Sequence, residues 1–155
     1  GVVLNNEMDD FAAVPGQPNA FGLIQSAANG VAPRKKPLSS MTPTIVVKDG
    51  KAVFAIGASG GPRIITATTQ VLLNLIHRQQ TPRAAVQAPR LHHQWLPDVL
   101  DLEPRLYREL QNPLTALGHK TQQLSASAVT QAVSRMPDGL RAGSDPRKGG
   151  RPAGW

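Results

Sequence analysis

Residues 44–78 leave this chain the least conformational freedom. Thr44 to Val47 and Ala52 to Ile56 are apolar runs joined by Lys48-Asp49-Gly50-Lys51. Asp-Gly between two such runs is a strong short-range signal for an antiparallel hairpin. A glycine-rich bend follows at 57–61. Then Ile64, Ile65, Thr68, Leu72, Leu75 and Ile76 recur at helical spacing between about Pro62 and Arg78. A sheet face and a helix stripe each need a covering layer, so this segment predicts a layered α/β arrangement.

The rest of the chain reads in the same terms. Pro82 starts a second short helix to about Ala88, because proline is tolerated in a helix's first turn. Val99 to Leu102 reads as a short strand, and Glu103 to Leu117 as a helix begun by Pro104 and closed by Gly118. Thr121 to Leu124, Ala128 to Ser134 and Leu140 to Ala142 alternate like strands, with antiparallel pairing expected. Gly1-Val2-Val3-Leu4 reads as the end of a strand that begins before the first residue. Residues 12–43 form a long irregular stretch carrying Pro15, Gly16, Pro18, Gly22, Gly30, Pro33, Pro37 and Pro43. Loops of that length are uncommon unless they serve a site. The tail from Ser144 to Trp155 is rich in Gly, Pro and Arg and reads as loose, with Trp155 a candidate pin.

At 155 residues the chain is sized for one domain. It is read as a single incomplete domain: loops and hairpin over 1–61, helices and strands over 62–143, and a tail over 144–155. With aromatics at only 4% of residues, its core must be aliphatic. The formal net charge of +7 raises nucleic acid as a partner. The distribution argues against it: residues 1–33 carry Glu7, Asp9 and Asp10 and no Lys or Arg. The basic groups Arg34-Lys35-Lys36, Arg147-Lys148 and Arg151 lack the interleaved aromatics of a stacking surface. There is no cysteine, hence no disulfide or thiolate chemistry, and no apolar run approaches a membrane span. His77, His92, His93 and His119 lack acid or cysteine partners at ligand spacing, so no metal and no cofactor is expected.

Three short motifs carry candidate chemistry. Glu7, Asp9 and Asp10 set three carboxylates within four residues of the segment Asn5-Asn6-Glu7-Met8-Asp9-Asp10-Phe11. They could bind a primary ammonium through charge-assisted hydrogen bonds. The residues alone leave open which two converge, and a solvated, self-capped turn is the bland alternative. Ser39 and Ser40, between Pro37 and Pro43, put two hydroxyls at a stiff bend that could hold a carboxylate or simply be a turn. Gly60-Gly61 ahead of Pro62 lets backbone N–H groups approach a reacting carbonyl at the positive end of a helix. That suits an oxyanion hole. A phosphate loop is disfavoured, because no Gly-Lys-Ser/Thr ending or GxGxxG spacing is present.

In this order and separation the three motifs resemble the γ-glutamyltranspeptidase (glutathione hydrolase) family, in its carboxy-terminal small subunit. The likeness runs almost continuously from Leu4 to Thr68, including Phe21-Gly22-Leu23, Asn29, Pro33 and Arg63-Ile64-Ile65-Thr66. Pro89-Arg90-Leu91-His92-His93-Gln94 and Asp145-Pro146-Arg147 resemble later family landmarks. The resemblance implies an N-terminal-nucleophile hydrolase, a four-layer αββα sandwich made by autocleavage of a zymogen into large and small subunits. This chain would be a partial sandwich, without the nucleophile strand or the large-subunit partner of the heterodimer.

The reaction implied is cleavage of γ-glutamyl amides such as glutathione, with transfer of the glutamyl group to water, amino acids or peptides. Carried onto this sequence, Glu7 and Asp10 would bind the substrate's α-ammonium and Ser39 and Ser40 its α-carboxylate. Gly60 and Gly61 would form the oxyanion hole. Pro15 to Ser26 would be the lid, with Phe21 standing where the family often has tyrosine. The family's threonine nucleophile is not in the chain as given, so the chain by itself is expected to be inactive. A periplasmic or extracellular location follows by the same resemblance. Two rivals remain: a related acylase cleaving another amide, such as a β-lactam side chain, and a noncatalytic remnant that binds glutamate-like ligands.

Overall fold

In the computed structural model the described residues are 2, 4 and 6–153, and they divide into two compact units, residues 1–40 and 41–155. Asn5, Gly1, Val3 and Trp155, which carry expectations stated above, lie outside the described residues. Val2 and Leu4 are exposed and belong to no strand, so the expected strand end over 1–4 is not seen at these two positions.

The second unit opens with the hairpin β1 (Thr44–Lys48) and β2 (Lys51–Ser59). Asp49 and Gly50 both have positive φ, 51° and 72°, which the tight turn requires and which aspartate and glycine tolerate. The strand β2 runs through Gly57 and Ala58, where a bend was expected. The reason is its partner: β6 (Val129–Met136) pairs with it from Phe54↔Ser134 to Ser59↔Val129, so the ladder continues to the glycine pair. β7 (Gly139–Ser144) folds back on β6 and completes a four-stranded antiparallel sheet in the order β1-β2-β6-β7.

Two helices cover one face of that sheet. Helix α1 (Arg63–Ile76) packs on β2 and β6; α2 (Pro82–Gln87) packs on β6 and β7. The Thr81 side chain caps α2 by accepting the Ala84 N–H at 3.2 Å, and Pro82 fills the first turn. The core between the layers is aliphatic: Ile56, Val71, Leu75, Ala85, Val86 and Ala132. The stripe of α1 keeps Ile64, Thr68, Leu72 and Leu75 of the expected set and departs from it at two positions. Ile64, Ala67, Thr68, Val71 and Leu75 are buried, whereas Ile65 and Ile76 face outward at 48% and 46% exposure. Ala67 and Val71 lie where the sheet comes closest, and two isoleucines are left to the rim.

The other sheet face has no covering layer among the described residues. The cross-strand row Ile45, Ala55, Val133 and Ala142 runs across it, with Ile45 68% exposed. One helical layer on one β layer is half of the expected αββα sandwich, with the open face where a second sheet would stack.

A smaller sheet, β3 (Leu91–His92), β4 (Leu100–Leu102) and β5 (Thr121–Gln123), adjoins α1 through β3. Here β4 and β5 are parallel, against the antiparallel expectation. Helix α3 (Pro104–Ala116) lies between them in sequence, and such a crossover returns the chain in the same direction. No helix among the described residues is long and apolar enough to cross a membrane.

Candidate functional site

The first unit carries the acidic and serine motifs. Glu7 to Asp10 form a single 3-10 turn closed by the Phe11 N–H donating to the Met8 carbonyl at 3.3 Å. Glu7 and Asp10 are half-buried and Asp9 is exposed. A second 3-10 turn, Ala27–Asn29, is capped by the Ser26 hydroxyl, which accepts the Ala28 N–H at 3.3 Å.

Asn29 ties the two motifs together. Its side-chain amide nitrogen donates to the Asp10 carbonyl at 2.7 Å and to Gln25 Oε1. Its amide oxygen accepts the Leu38 N–H at 2.9 Å, one residue before Ser39. Its own carbonyl accepts the Ala12 N–H at 3.0 Å. The acidic turn and the serine turn, 29 residues apart in sequence between Asp10 and Ser39, are therefore fastened to one residue. Ser39 is exposed and Ser40 half-buried. Lys35 donates to the Ala28 carbonyl at 2.5 Å and so braces the same loop.

The segment expected as a lid is a small hairpin. Asn19 Oδ1 accepts the N–H groups of Phe21 and Leu23 at 2.9 and 3.0 Å, and Gly22 turns the chain at φ 74°. This puts the half-buried Phe21 at the tip, while Pro15 is exposed at the base. Beneath lies a hollow of about 170 Å³ lined by Asp9, Phe11, Val14, Pro18 and Leu23 among others. Its lining includes neither Glu7, Asp10, Ser39 nor Ser40.

In the second unit Gly60 and Gly61 end β2 and begin α1. Gly60 has φ 142°, and a Cβ there would sit 2.8 Å from the Cα and Cβ of Ala128. Only glycine lets β2 and the start of β6 approach so closely. Gly61 has φ 59°, and its carbonyl accepts the Ile64 N–H at 3.0 Å, opening the helix. Among the described residues neither glycine N–H has a hydrogen-bond acceptor. Two adjacent free donors at the positive end of α1 are suited to an oxyanion.

Sequence reasoning missed a buried charge cluster behind this site. Arg90, with 1% side-chain exposure, donates to Asp145 Oδ2 at 2.5 Å, to Thr130 Oγ1 at 2.7 Å and to the Ala128 carbonyl at 3.0 Å. Ala128 is the residue against which Gly60 packs, so the cluster props the glycine pair. Arg147 binds Asp145 Oδ1 at 2.9 Å and holds both oxygens of Glu103. Glu103 also accepts the N–H groups of Arg90 and Ser127 at 3.0 and 2.9 Å. The tail expected to be loose is thus pinned at Asp145 and Arg147. Only the likeness of 89–94 and 145–147 to family landmarks hinted at this.

Burial alone would raise both carboxyls. For Glu103 the Arg147 guanidinium and the Ser127 and Arg90 N–H groups outweigh burial and hold it below the ordinary carboxylate range. For Asp145 the N–H groups of Thr130 and Arg147 and the two guanidiniums do the same. Burial lowers Arg90, while the carboxylate partners of Arg147 overcome its burial and raise it. His92, also buried, spends both ring nitrogens on Thr66 Oγ1 (2.8 Å) and Gln94 Oε1 (2.9 Å), an interior structural role.

Comparison with known proteins is consistent with this layout. The family model described as gamma-glutamyltranspeptidase matches residues 1–155. The glutathione hydrolase proenzyme of Escherichia coli (strain K12) is 49% identical over 95% of this chain and 26% of its own length. The chain spans between about a fifth and a third of the first curated relatives it matches. A crystal structure of a Helicobacter pylori γ-glutamyltranspeptidase mutant superposes with a TM-score of 0.86 at 41% identity, covering 96% of this chain and 82% of that one. A cephalosporin acylase from Bacillus halodurans follows at TM-score 0.72 and 28% identity, covering 82% of this chain and 24% of its own. The fold is that of the N-terminal-nucleophile hydrolases of this group, and the acylase alternative is the less similar.

Proposed function

Because this chain belongs to the γ-glutamyltranspeptidase family, we propose that it supplies the glutamyl-binding and oxyanion-stabilising half of an enzyme that cleaves γ-glutamyl amides such as glutathione. The observation that carries the reading is the pair of free N–H groups on Gly60 and Gly61 at the head of α1. Glu7 and Asp10 bind the α-ammonium, and Ser39 and Ser40 the α-carboxylate. The threonine nucleophile, whose free amine serves as base, comes from the rest of the enzyme. It attacks the γ-carbonyl, the carbonyl oxygen takes up negative charge, and Gly60 and Gly61 donate to it. One such donor lowers a barrier by about 2.7–4 kcal/mol. The amine then leaves with a proton, and water or an amino acid takes the glutamyl group from the enzyme.

The open face of the β1-β2-β6-β7 sheet receives the second β layer from the large subunit. The Escherichia coli relative is named a proenzyme, which supports an autocleaved precursor, and family analogy supports a periplasmic or extracellular location. The test compares γ-glutamyl-p-nitroanilide with glutaryl-p-nitroanilide, which lacks only the α-ammonium. The two-subunit enzyme is expected to release p-nitroaniline from the first at least about a hundredfold faster, since a lost charged contact at a buried site costs several kcal/mol. Equal or reversed preference would favour the acylase reading, and inactivity on both would favour the binding remnant.

A further inference from the structure

We infer that Asn29 is a positioning residue that sets the distance between the ammonium-binding and carboxylate-binding groups of the glutamyl site. The inference rests on the reading above and adds what holds its two halves in register. The acidic turn and the serine turn lie far apart in sequence, and each is a short turn without regular structure to fix it. Asn29 reaches both at backbone level: it donates to the Asp10 carbonyl at 2.7 Å and accepts the Leu38 N–H at 2.9 Å.

The amide matches both partners. A carbonyl can only accept and a backbone N–H can only donate, so one end of the side chain must be a donor and the other an acceptor. The second amide hydrogen goes to Gln25 Oε1, which leaves no donor on the group unused. An aspartate would set an acceptor against the Asp10 carbonyl. An alanine would free the Asp10 carbonyl and the Leu38 N–H, leaving the acidic turn only the backbone bond from the Ala12 N–H to the Asn29 carbonyl. Because the bonds go to main chain, the residues that touch substrate can point outward while their backbones stay fixed to a common post.

This arrangement has a signature in binding. Two anchors held at a fixed spacing grip a ligand that carries both charged groups far better than ligands carrying one, because the second contact forms at high effective concentration. L-Glutamate carries both, 4-aminobutyrate lacks the α-carboxylate, and glutarate lacks the α-ammonium. In the two-subunit enzyme, inhibition constants for the three are measured with wild type, Asn29→Ala and Asn29→Asp, alongside melting temperatures. The expected result is an L-glutamate constant raised at least about tenfold in both variants, as two lost hydrogen bonds would give. The constants for 4-aminobutyrate and glutarate stay within about twofold. Selectivity for the doubly charged ligand collapses while each single contact survives.

Glutamate inhibition unchanged in both variants would overturn the inference. So would weakening of all three ligands together with a lowered melting temperature, or failure of both variants to fold, since either assigns the amide to fold maintenance alone. If wild type itself does not prefer L-glutamate to the two ligands that each lack one α group, the glutamyl reading falls and the inference with it. A wild type that discriminates beside variants that discriminate equally well sinks only the role of Asn29.

Discussion

Replacing Asp145 by asparagine is the sharpest test of the buried charge cluster. The substitution keeps the volume and removes the charge. Asp145 Oδ2 accepts from Arg90, from the Thr130 N–H at 2.9 Å and from the Thr130 hydroxyl at 3.1 Å. Oδ1 accepts from the Arg147 N–H at 3.1 Å and from its guanidinium at 2.9 Å. Every nitrogen partner on both oxygens is a donor, so an asparagine amide points N–H at N–H whichever way it turns. At least two buried donors lose their acceptor, at about 1–3 kcal/mol each. The Arg90 guanidinium, with 1% side-chain exposure, also loses its direct counter-charge. Breaking one side of such a pair costs about 3–5 kcal/mol.

Urea unfolding followed by circular dichroism reads the effect. With an m value of about 2 kcal/mol per molar, the midpoint falls by about 2 M with the slope unchanged. The double variant Arg90→Met, Asp145→Leu removes both charges, and a coupling of about 2 kcal/mol or more in its favour is expected. A midpoint shift below about 0.5 M for Asp145→Asn, or losses that simply add in the double variant, would refute the reasoning.

Two further predictions follow from the same coordinates. Glu103 and Asp145 are held below their ordinary range in the fold, so they bind fewer protons than in the unfolded chain at acid pH. Their stabilisation is fully present above the unfolded values of about 4 and is lost as pH falls through the depressed folded ones. The melting temperature is therefore expected to be level from about pH 7 to 5 and to drop below about pH 4, less steeply in Asp145→Asn. Separately, a Cβ on Gly143 would stand 2.5 Å from the Pro82 carbonyl, whereas one on Gly57 meets nothing within 4 Å. Gly143→Ala is expected to destabilise by about 1–3 kcal/mol by wedging β7 off α2, and Gly57→Ala to be neutral within about 0.5 kcal/mol; equal effects would contradict the packing described.

What was legible in the sequence was local. The hairpin announced itself through Asp49-Gly50, the second helix through Pro82 and the third through Pro104, because each signal acts on the next few residues. In α1 the spacing marks Ile65 and Ile76 for the core because they are more hydrophobic than Ala67, yet Ala67 is fully buried and the two isoleucines are exposed. The bend at Gly57 was misjudged because a glycine in a strand looks like a break until its partner strand is known. The acidic, serine and glycine motifs were visible as residue types, but nothing near Asp10 or Leu38 reveals that Asn29 holds both.

The charge cluster was illegible for a deeper reason. Arg90, Glu103 and the Asp145–Arg147 pair occupy three separate segments, and no periodicity relates them. Read singly, each is a charged residue, which almost always means solvent. Only topology brings them in: the β6–β7 turn returns Asp145 to Thr130, and β3 begins just after Arg90, beside the strand that ends before Glu103. Once assembled, the cluster ties a loop, a helix start and the chain's tail to Ala128, and Ala128 fixes how near Gly60 must come. Under the proposed function, the Gly60 and Gly61 N–H groups are therefore aimed by the buried charges behind Ala128. Substitutions in the cluster should accordingly lower turnover through geometry at Gly60 and Gly61 before they unfold the chain.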